Sequence, residues 1–125
     1  MTVVVDTSVI IDVLRGDSRA SEILIRSRQS DPLHASEIGR LEVLAGMRIQ
    51  EEPATRALLE VFTWHPVDAK VAELAGELGR RWFPSSGGID SADLAIAATT
   101  MLLGAQLLTR NVKHFPMFSG LAAPY

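Results

Sequence analysis

Short apolar runs alternate along the chain with longer segments in which apolar residues recur at helical spacing. A short apolar run between turn residues indicates a buried strand, whereas apolar residues three and four positions apart indicate an amphipathic helix. This alternation predicts one α/β domain over residues 1–125, with a mainly parallel sheet and helices on both faces. The four to five predicted strands lie at residues 2–5, 32–34, 64–67 and 105–109, with an edge strand at 121–125.

Capping and turn residues set the bounds of the predicted helices. Ser18 and Ser36 are suitable N-caps, and Gly104 suits the end of a helix. The segment "PSSGG", residues 84–88, predicts a loop. The predicted helices cover residues 8–14, 18–28, 36–50, 53–64, 68–82 and 90–103.

Composition narrows the class of protein. With 125 residues, 47% of them apolar, the chain suits a single domain with its own core. It has no cysteine, so disulfides and thiolate metal ligands are excluded, and we expect a reducing compartment, the cytoplasm. The sequence has no signal-peptide pattern, and no apolar run approaches the ~18 residues needed to cross a bilayer. We therefore expect neither secretion nor membrane insertion. A formal charge of −3 argues against a protein that coats nucleic acid through general positive charge.

Asp6 follows three valines in the stretch "TVVVDTSVIIDVL". In open parallel sheets, ligands bind beyond the carboxyl ends of the strands, and Asp6 stands at such an end. The alternative is an N-cap, in which the carboxylate accepts amide hydrogen bonds from the following helix. One helical turn and a half further on, Asp12 is expected to face solvent.

Glu42 lies within the apolar arc of the helix predicted for residues 36–50. A carboxylate on a core-facing stripe is costly unless it is hydrogen-bonded, ion-paired or bound to a cation. A buried ion pair with Arg40 or Arg48 is the alternative, although both arginines point away from the arc. The arc itself consists of Ile38, Leu41, Ala45 and Ile49.

The segment "IDSADLAIAATTMLLGA" predicts a helix that is apolar on nearly every side, with Asp90 and Asp93 as its only charges. Asp90 can cap this helix, and Asp93 in the first turn can interact favourably with the helix dipole. The two acids are three residues apart and project from nearly the same face. Asp93 is therefore also a candidate metal ligand.

Three acids gathered at one sheet edge would repel each other, and a hard divalent cation would relieve that repulsion. Mg²⁺ and Mn²⁺ prefer carboxylates and water as ligands, and the sequence offers no His or Cys spacing suited to zinc. We assign no catalytic role to His34, His65 or His114. Carboxylate sites of this kind serve phosphate chemistry, in which the cation polarises the phosphoryl group and activates a water.

The stretches "VVVDTSVIIDVL", "SEIGRLEVLAGM" and "DLAIAATTMLLGAQLLTRNVKHF" resemble the successive motifs of PIN-domain ribonucleases, closest to the small toxins of VapBC-type toxin–antitoxin pairs. The resemblance implies a three-layer α/β/α sandwich in which Asp6, Glu42 and Asp93 form an acidic triad. It also implies an endoribonuclease dependent on Mg²⁺ or Mn²⁺, a homodimer and a small antitoxin partner. Structured RNA such as transfer RNA is the substrate class that it suggests.

The chain departs from the PIN pattern after the predicted strand at 105–109, where many members carry a fourth acid and this chain carries Asn111. Asn111 can hydrogen-bond a metal-bound water but adds no charge. Two alternatives remain open: Asp90 compensates from the neighbouring helix, or the site holds a single cation weakly. Asn111 also favours a rival function, a catalytically impaired PIN-like binding module.

Residues next to the acids have supporting roles in this interpretation. Ser8 and Thr109 can hydrogen-bond the carboxylates, or they are ordinary cap and strand-end hydroxyls. Arg110 and Lys113 can hold flanking RNA phosphates, or they form a solvated surface cluster. A phosphorelay receiver is a further rival, but it requires an Asp at the end of a middle strand, and Asp68 opens a helix instead.

Overall fold

The computed structural model describes residues 1–84 and 87–125 and has a parallel sheet at its centre. The strand order is β3-β2-β1-β4, and each neighbouring pair runs parallel. The strands are β1 (Val3–Val5), β2 (Leu33–Ser36), β3 (Phe62–His65) and β4 (Gln106–Leu108). The prediction of an edge strand at 121–125 was wrong, because no strand forms there. Pro124 lacks an amide donor for a sheet ladder, and the Tyr125 side chain is bonded to Asp12 instead.

Helices cover both faces of the sheet, as predicted. On one face, Val3 and Val5 pack in a core with residues of α1, α2 and α3; on the other, Val4 packs with α5 and α6. Alternate strand residues point to opposite faces, so this division gives the three-layer α/β/α sandwich. The helices are α1 (Thr7–Leu14), α2 (Ser18–Arg28), α3 (Glu37–Gly46), α4 (Glu52–Leu59), α5 (Ala69–Trp82) and α6 (Ser91–Leu102), with 3₁₀ turns at Ile49–Glu51 and Val112–His114.

Helix α3 is shorter than predicted and buries a different face. It ends at Gly46, so Ile49 lies in a separate 3₁₀ turn, where it is 87% exposed. Leu41 is also 59% exposed, whereas Gly39 and Val43, one turn apart, form the buried stripe. The predicted apolar arc was therefore wrong.

Other predicted bounds shift by a few residues. Ser36 caps α3 as predicted, since its hydroxyl accepts a hydrogen bond from the Ile38 amide. Helix α2 is capped by Asp17 rather than by Ser18, because the Asp17 carboxylate accepts from the Arg19 amide. Of the loop predicted at 84–88, residues 85 and 86 lie outside the described part. Within residues 1–84 and 87–125, no helix is long and apolar enough to cross a membrane.

Candidate active site

Asp6 stands at the carboxyl end of β1, between its neighbours β2 and β4. Its amide donates to the Leu108 carbonyl at 2.9 Å, which prolongs the β1–β4 pairing by one residue. Asp6 occupies the N-cap position of α1, but its side chain makes no capping hydrogen bond. The residue is only 3% exposed. The capping alternative therefore does not explain why a buried carboxylate ends this strand.

Two hydroxyl groups hold the Asp6 carboxylate. Thr109 Oγ1 and Ser8 Oγ each lie 2.7 Å from Asp6 Oδ2 and donate to it. Backbone amides fix the same hydroxyls, because Asn111 N donates to Thr109 Oγ1 at 2.9 Å and Arg110 N donates to Ser8 Oγ at 3.1 Å. The segment after β4 is thereby tied to the segment after β1, and the carboxylate is held in one orientation.

Asp93 is the second buried acid at this edge, and it is 8% exposed. It forms a reciprocal capping box with Asp90: Asp93 N donates to Asp90 Oδ1 at 2.9 Å, and Asp90 N donates to Asp93 Oδ2 at 3.1 Å. Burial, together with the smaller effects of the Asp90 and Asp6 charges, raises the pKa of Asp93 to about 6. The Asp90 amide and His114 act in the opposite direction. The capping role expected of Asp90 is thus present, and it occurs beside an acid that is costly to ionise.

His114 was given no role from the sequence, but its Nδ1 lies 3.2 Å from Asp93 Oδ2. The 3₁₀ turn Val112–His114 carries the ring back from the end of β4 to the start of α6. Gly88 lies against the other side of the ring, since a Cβ at Gly88 would be 3.5 Å from His114 Nε2. No local signal marks this contact, because it depends on how the segment after β4 turns.

Glu42 is half-buried on α3 and faces α1. Its Oε1 accepts a hydrogen bond from Thr7 Oγ1 at 2.8 Å, and Thr7 is the residue next to Asp6. The ion-pair alternative was wrong: Arg40 pairs with Glu37 and covers the Trp64 ring at 4.5 Å from its centroid. In residues 1–84 and 87–125, no ion pair includes Glu42.

The carboxylate oxygens at this edge of the sheet are ligands that a hard divalent cation prefers. Asp6 and Asp93 provide carboxylate oxygens at one sheet edge, and the raised pKa of Asp93 comes first from burial and then from the nearby charges of Asp90 and Asp6, which a cation would neutralise. In the described part of the chain, no group of three His, Asp or Glu side chains is arranged so that it could hold a metal ion. Thr7 donates to Oε1 of Glu42, which leaves the other carboxylate oxygen of Glu42 as the one that a cation would bind.

Asp12 does not face solvent freely, so that expectation was wrong. Its Oδ2 accepts hydrogen bonds from Tyr125 OH at 2.7 Å and from Arg110 Nη1 at 3.2 Å. The Arg110 guanidinium also lies 4.8 Å from the centroid of the Tyr125 ring. Burial, followed by the Asp12 hydrogen bond, raises the pKa of Tyr125 to about 12. Arg110 and Lys113 are both exposed, but Arg110 is already held by two partners.

Comparisons with known proteins agree over nearly the whole chain. Residues 3–117 match the family model described as "PIN domain". Ribonuclease VapC19 of Mycobacterium tuberculosis is 41% identical over 122 residues, which cover 97% of this chain and 98% of that protein. Ribonuclease VapC10 of the same organism is 37% identical over 123 residues, 98% of this chain and 92% of that protein. A solved toxin–antitoxin complex from Klebsiella pneumoniae has a chain of similar fold, with a TM-score of 0.82 and 27% identity over 99% of this chain and 98% of that chain.

Proposed function

Because this chain belongs to the PIN-domain family, and VapC ribonucleases are among its relatives, we propose that it is a metal-dependent endoribonuclease and the toxin of a toxin–antitoxin pair. The observation that carries the proposal is the pair of buried acids, Asp6 and Asp93, at the carboxyl edge of the sheet. Burial raises the pKa of Asp93 to about 6, and the negative charge of Asp6 acts in the same direction. Such an arrangement costs stability in a protein that binds no cation.

Asp6 and Asp93 are the residues that we assign to Mg²⁺ or Mn²⁺. The hydroxyls of Ser8 and Thr109 orient the Asp6 carboxylate before any ligand arrives, and the Asp90 amide orients the Asp93 carboxylate. A bound cation of this class supplies charge neutralisation at the scissile phosphate and a lower pKa for a water molecule. Hydrolysis then breaks one P–O bond of the RNA backbone and forms another from the attacking water.

Glu42 is the third acid of the proposed triad. Its carboxylate lies beside Thr7, one residue from Asp6, and its half-buried position leaves it accessible to water. It can accept the proton that the attacking water loses, or bind the cation through the carboxylate oxygen that does not bond to Thr7. If Glu42 binds the cation, Glu42→Gln should abolish metal binding. If it accepts the proton, Glu42→Gln should abolish cleavage and leave metal binding intact.

Asn111 stands where many PIN domains have a fourth acid, and this departure supports the rival hypothesis of an impaired binding module. The capping box favours the enzyme, because it brings the Asp90 carboxylate within electrostatic range of Asp93. Asp90 thus supplies negative charge that Asn111 lacks. A phosphorelay receiver is not supported, because β2 and β3, the two strands between β1 and β4 in the sequence, end at Ser36 and His65 rather than at an aspartate.

RNA is expected to approach over the segment that follows β4. Lys113 is exposed in the 3₁₀ turn beside His114, and Arg110 is exposed beside Ser8. Both cations lie close to the proposed metal ligands, which suits contacts to phosphates on either side of the scissile bond. For Arg110, such a contact competes with its ion pair to Asp12.

An antitoxin protein is the proposed partner, and a groove between α1 and α3 is the surface that we assign to it. The groove has a volume of about 370 Å³, and its apolar wall includes Ile11, Leu14, Val43 and Met47. Glu42 also lines it, so an occupant of the groove would cover one acid of the triad. The Klebsiella pneumoniae structure is a toxin–antitoxin complex by its description, which supports a partner of this kind.

A homodimer is proposed as well. Its support is two exposed apolar side chains at opposite ends of the α5–α6 pair: Phe83, directly after α5, is 47% exposed, and Leu102, the last residue of α6, is 50% exposed. Light scattering on the purified chain gives the mass directly.

The decisive experiment is cleavage of total RNA and transfer RNA by purified protein with Mg²⁺, with Mn²⁺ and with chelator. Wild type is expected to give discrete products only with metal, and Asp6→Asn and Asp93→Asn are expected to give none. Asp68→Asn is the matched control, because Asp68 caps α5 away from the acidic edge and asparagine caps equally well. A folded, antitoxin-free wild type that cleaves nothing with either metal would favour the binding module.

A further inference from the structure

His34 and His65 lie next to each other, although 31 positions separate them in the sequence. His34 is in register with Thr63, and Ser36 is in register with His65, so the histidines are diagonal neighbours on adjacent parallel strands. Residues paired on adjacent strands point to the same face of the sheet. Val4 is paired with His34 and belongs to the core beneath α5 and α6, so the two histidines also lie on that face. The spacing of the histidines along the chain gave no sign of this contact, because it depends on strand register.

The two rings are arranged for a shared ligand. His34 Nδ1 and His65 Nε2 are 2.8 Å apart, and the ring centroids are 5.0 Å apart. A hydrogen bond between two imidazole nitrogens needs one proton and one lone pair, so the accepting nitrogen is unprotonated and becomes available to a metal ion once the donor ring moves its proton to its other nitrogen. Burial, and then the neighbouring His34, lowers the pKa of His65, which favours the neutral form that binds metals.

The spacing of the nitrogens is close to that of two ligands on one metal ion. Zinc binds imidazole nitrogen at ~2.0–2.1 Å, so two nitrogens on one ion lie ~2.9 Å apart at a right angle and ~3.3 Å apart in a tetrahedron. The observed 2.8 Å is the length of a hydrogen bond in which the two nitrogens point at each other. Metal binding therefore requires a few tenths of an ångström of separation, a turn of both rings so that their lone pairs converge on the ion, and transfer of the shared proton to the other nitrogen of the donor ring. Both residues are half-buried, and His65 lines a cavity of about 210 Å³ that opens to solvent.

We propose that His34 and His65 form a binding site for a late first-row transition metal, Zn²⁺, Ni²⁺ or Cu²⁺, separate from the carboxylate site at Asp6 and Asp93. Imidazole nitrogen is the ligand that these ions prefer, whereas Mg²⁺ and Mn²⁺ prefer oxygen. In residues 1–84 and 87–125, no third His, Asp or Glu completes a ligand group, so water occupies the remaining positions.

A metal ion at this site would link the edge strand β3 to β2. Strand β2 ends at Ser36, whose hydroxyl caps α3, the helix that carries Glu42. Binding therefore stabilises the sheet edge from which α3 begins. It requires neither RNA nor the acidic triad, so the proposal stands or fails independently of the ribonuclease activity.

The chain contains three histidines, which makes a complete set of imidazole variants small. His34→Gln and His65→Gln each remove one ligand while retaining a side chain that can hydrogen-bond. His114→Gln is the matched control, because His114 contacts Asp93 and a metal ion could be held there instead. Circular dichroism and thermal unfolding in chelator establish that each variant is folded.

Isothermal titration calorimetry with Ni²⁺ and with Zn²⁺, in excess Mg²⁺, tests the proposal. One ion is expected to bind to wild type and to His114→Gln with equal affinity. His34→Gln and His65→Gln are expected to bind at least about 10–100-fold more weakly, because loss of a direct ligand weakens binding no less than loss of a residue that orients a ligand. Absence of binding to wild type, or unchanged binding to both single variants, overturns the proposal.

Electron paramagnetic resonance of the Cu²⁺-loaded protein identifies the ligands directly. Coupling to two imidazole nitrogens is expected in wild type, and coupling to one in either single variant. A spectrum that changes only in His114→Gln would place the ion beside Asp93 and contradict the proposed site. RNA cleavage with Mg²⁺ alone, measured on the same samples, reports on the proposed enzymatic function separately.

Discussion

Thr109 donates a hydrogen bond of 2.7 Å to Asp6, although 103 positions separate the two residues in the sequence. Both are buried, and Thr109 is fully so. The bond joins the last strand of the sheet to the first strand at the point where the acidic edge begins. It is the contact through which the segment after β4 determines the orientation of the principal carboxylate.

Thr109→Val is expected to weaken Mn²⁺ binding by about 10–100-fold, because the Asp6 carboxylate loses one of the two hydroxyls that orient it. The free energy of unfolding should fall by about 1–3 kcal/mol, since a buried acceptor loses a donor. Titration calorimetry and chemical denaturation measure the two effects. Thr99→Val is the control, because that buried hydroxyl bonds only to the Ala95 carbonyl of its own helix. Equal Mn²⁺ affinity in both variants would contradict the assigned role of Thr109.

Asp93→Asn is expected to stabilise the metal-free protein at pH 7. The folded-state pKa of Asp93 is raised to about 6 by burial, above its ordinary value of 3.8. Protonated Asp93 therefore makes its full contribution to the free energy of unfolding below pH ~4. This contribution, up to about 3 kcal/mol, is lost as the pH rises through about 6. Chemical denaturation in chelator at several pH values should show wild type and variant diverging across that interval. Parallel curves for the two proteins would show that Asp93 titrates normally.

Tyr125 is the single tyrosine of the chain, so the absorbance of its phenolate reports one group. Its pKa is raised to about 12, first by burial and then by the hydrogen bond to Asp12. Stability from this contact is present below pH ~10 and is lost as the pH rises toward 12. Asp12→Asn should move the titration toward ~10. An unshifted titration in wild type would show that the Asp12–Tyr125 contact does not form in solution.

Asp90→Asn is expected to weaken Mn²⁺ binding on the order of tenfold, because it removes charge beside Asp93 in a site where Asn111 contributes none. Asparagine is also a good N-cap, so α6 should begin normally and melting in chelator should change little. Asn111→Asp in the same background is expected to restore affinity, since its backbone amide is fixed on Thr109 beside Asp6. If Asp90→Asn binds Mn²⁺ as wild type does, a single weakly held cation becomes the better description.

Met47→Glu is expected to abolish co-purification of a candidate antitoxin, because it places a charge on the apolar wall of the groove between α1 and α3. RNA cleavage by the isolated variant should remain. Val67→Glu is the control, an exposed apolar residue that lies outside the groove. Loss of the partner with the control variant, or its retention with Met47→Glu, would place the antitoxin elsewhere.

The sequence was most informative where the signal is local. Three valines followed by Asp6 predicted a buried strand with an acid at its end, and the spacing of Asp90 and Asp93 predicted a cap at the start of α6. Both features depend on a few consecutive residues. The parallel sheet followed from the alternation of apolar runs with helical segments, which is equally local in origin.

Contacts between distant segments were not predictable from the same signals. Glu42 was singled out through an apolar arc that included Leu41, yet Leu41 is exposed and Glu42 is instead held by Thr7 of another helix. His114 reaches Asp93 through the turn after β4. His34 meets His65 only because their strands are neighbours in a particular register. Each of these pairings is set by sheet order and turn geometry, which residue spacing along the chain does not specify.

The strand order has a consequence for synthesis of the protein. Strand β1 is made first but lies between β2 and β4, and β4 is made last. Chains are synthesised from the N-terminus, so Asp6 is made long before Thr109, the residue that donates a hydrogen bond to its carboxylate. An unfinished chain therefore lacks an assembled acidic edge. The ribosome that translates this protein is accordingly not exposed to an active nuclease until the chain is nearly complete.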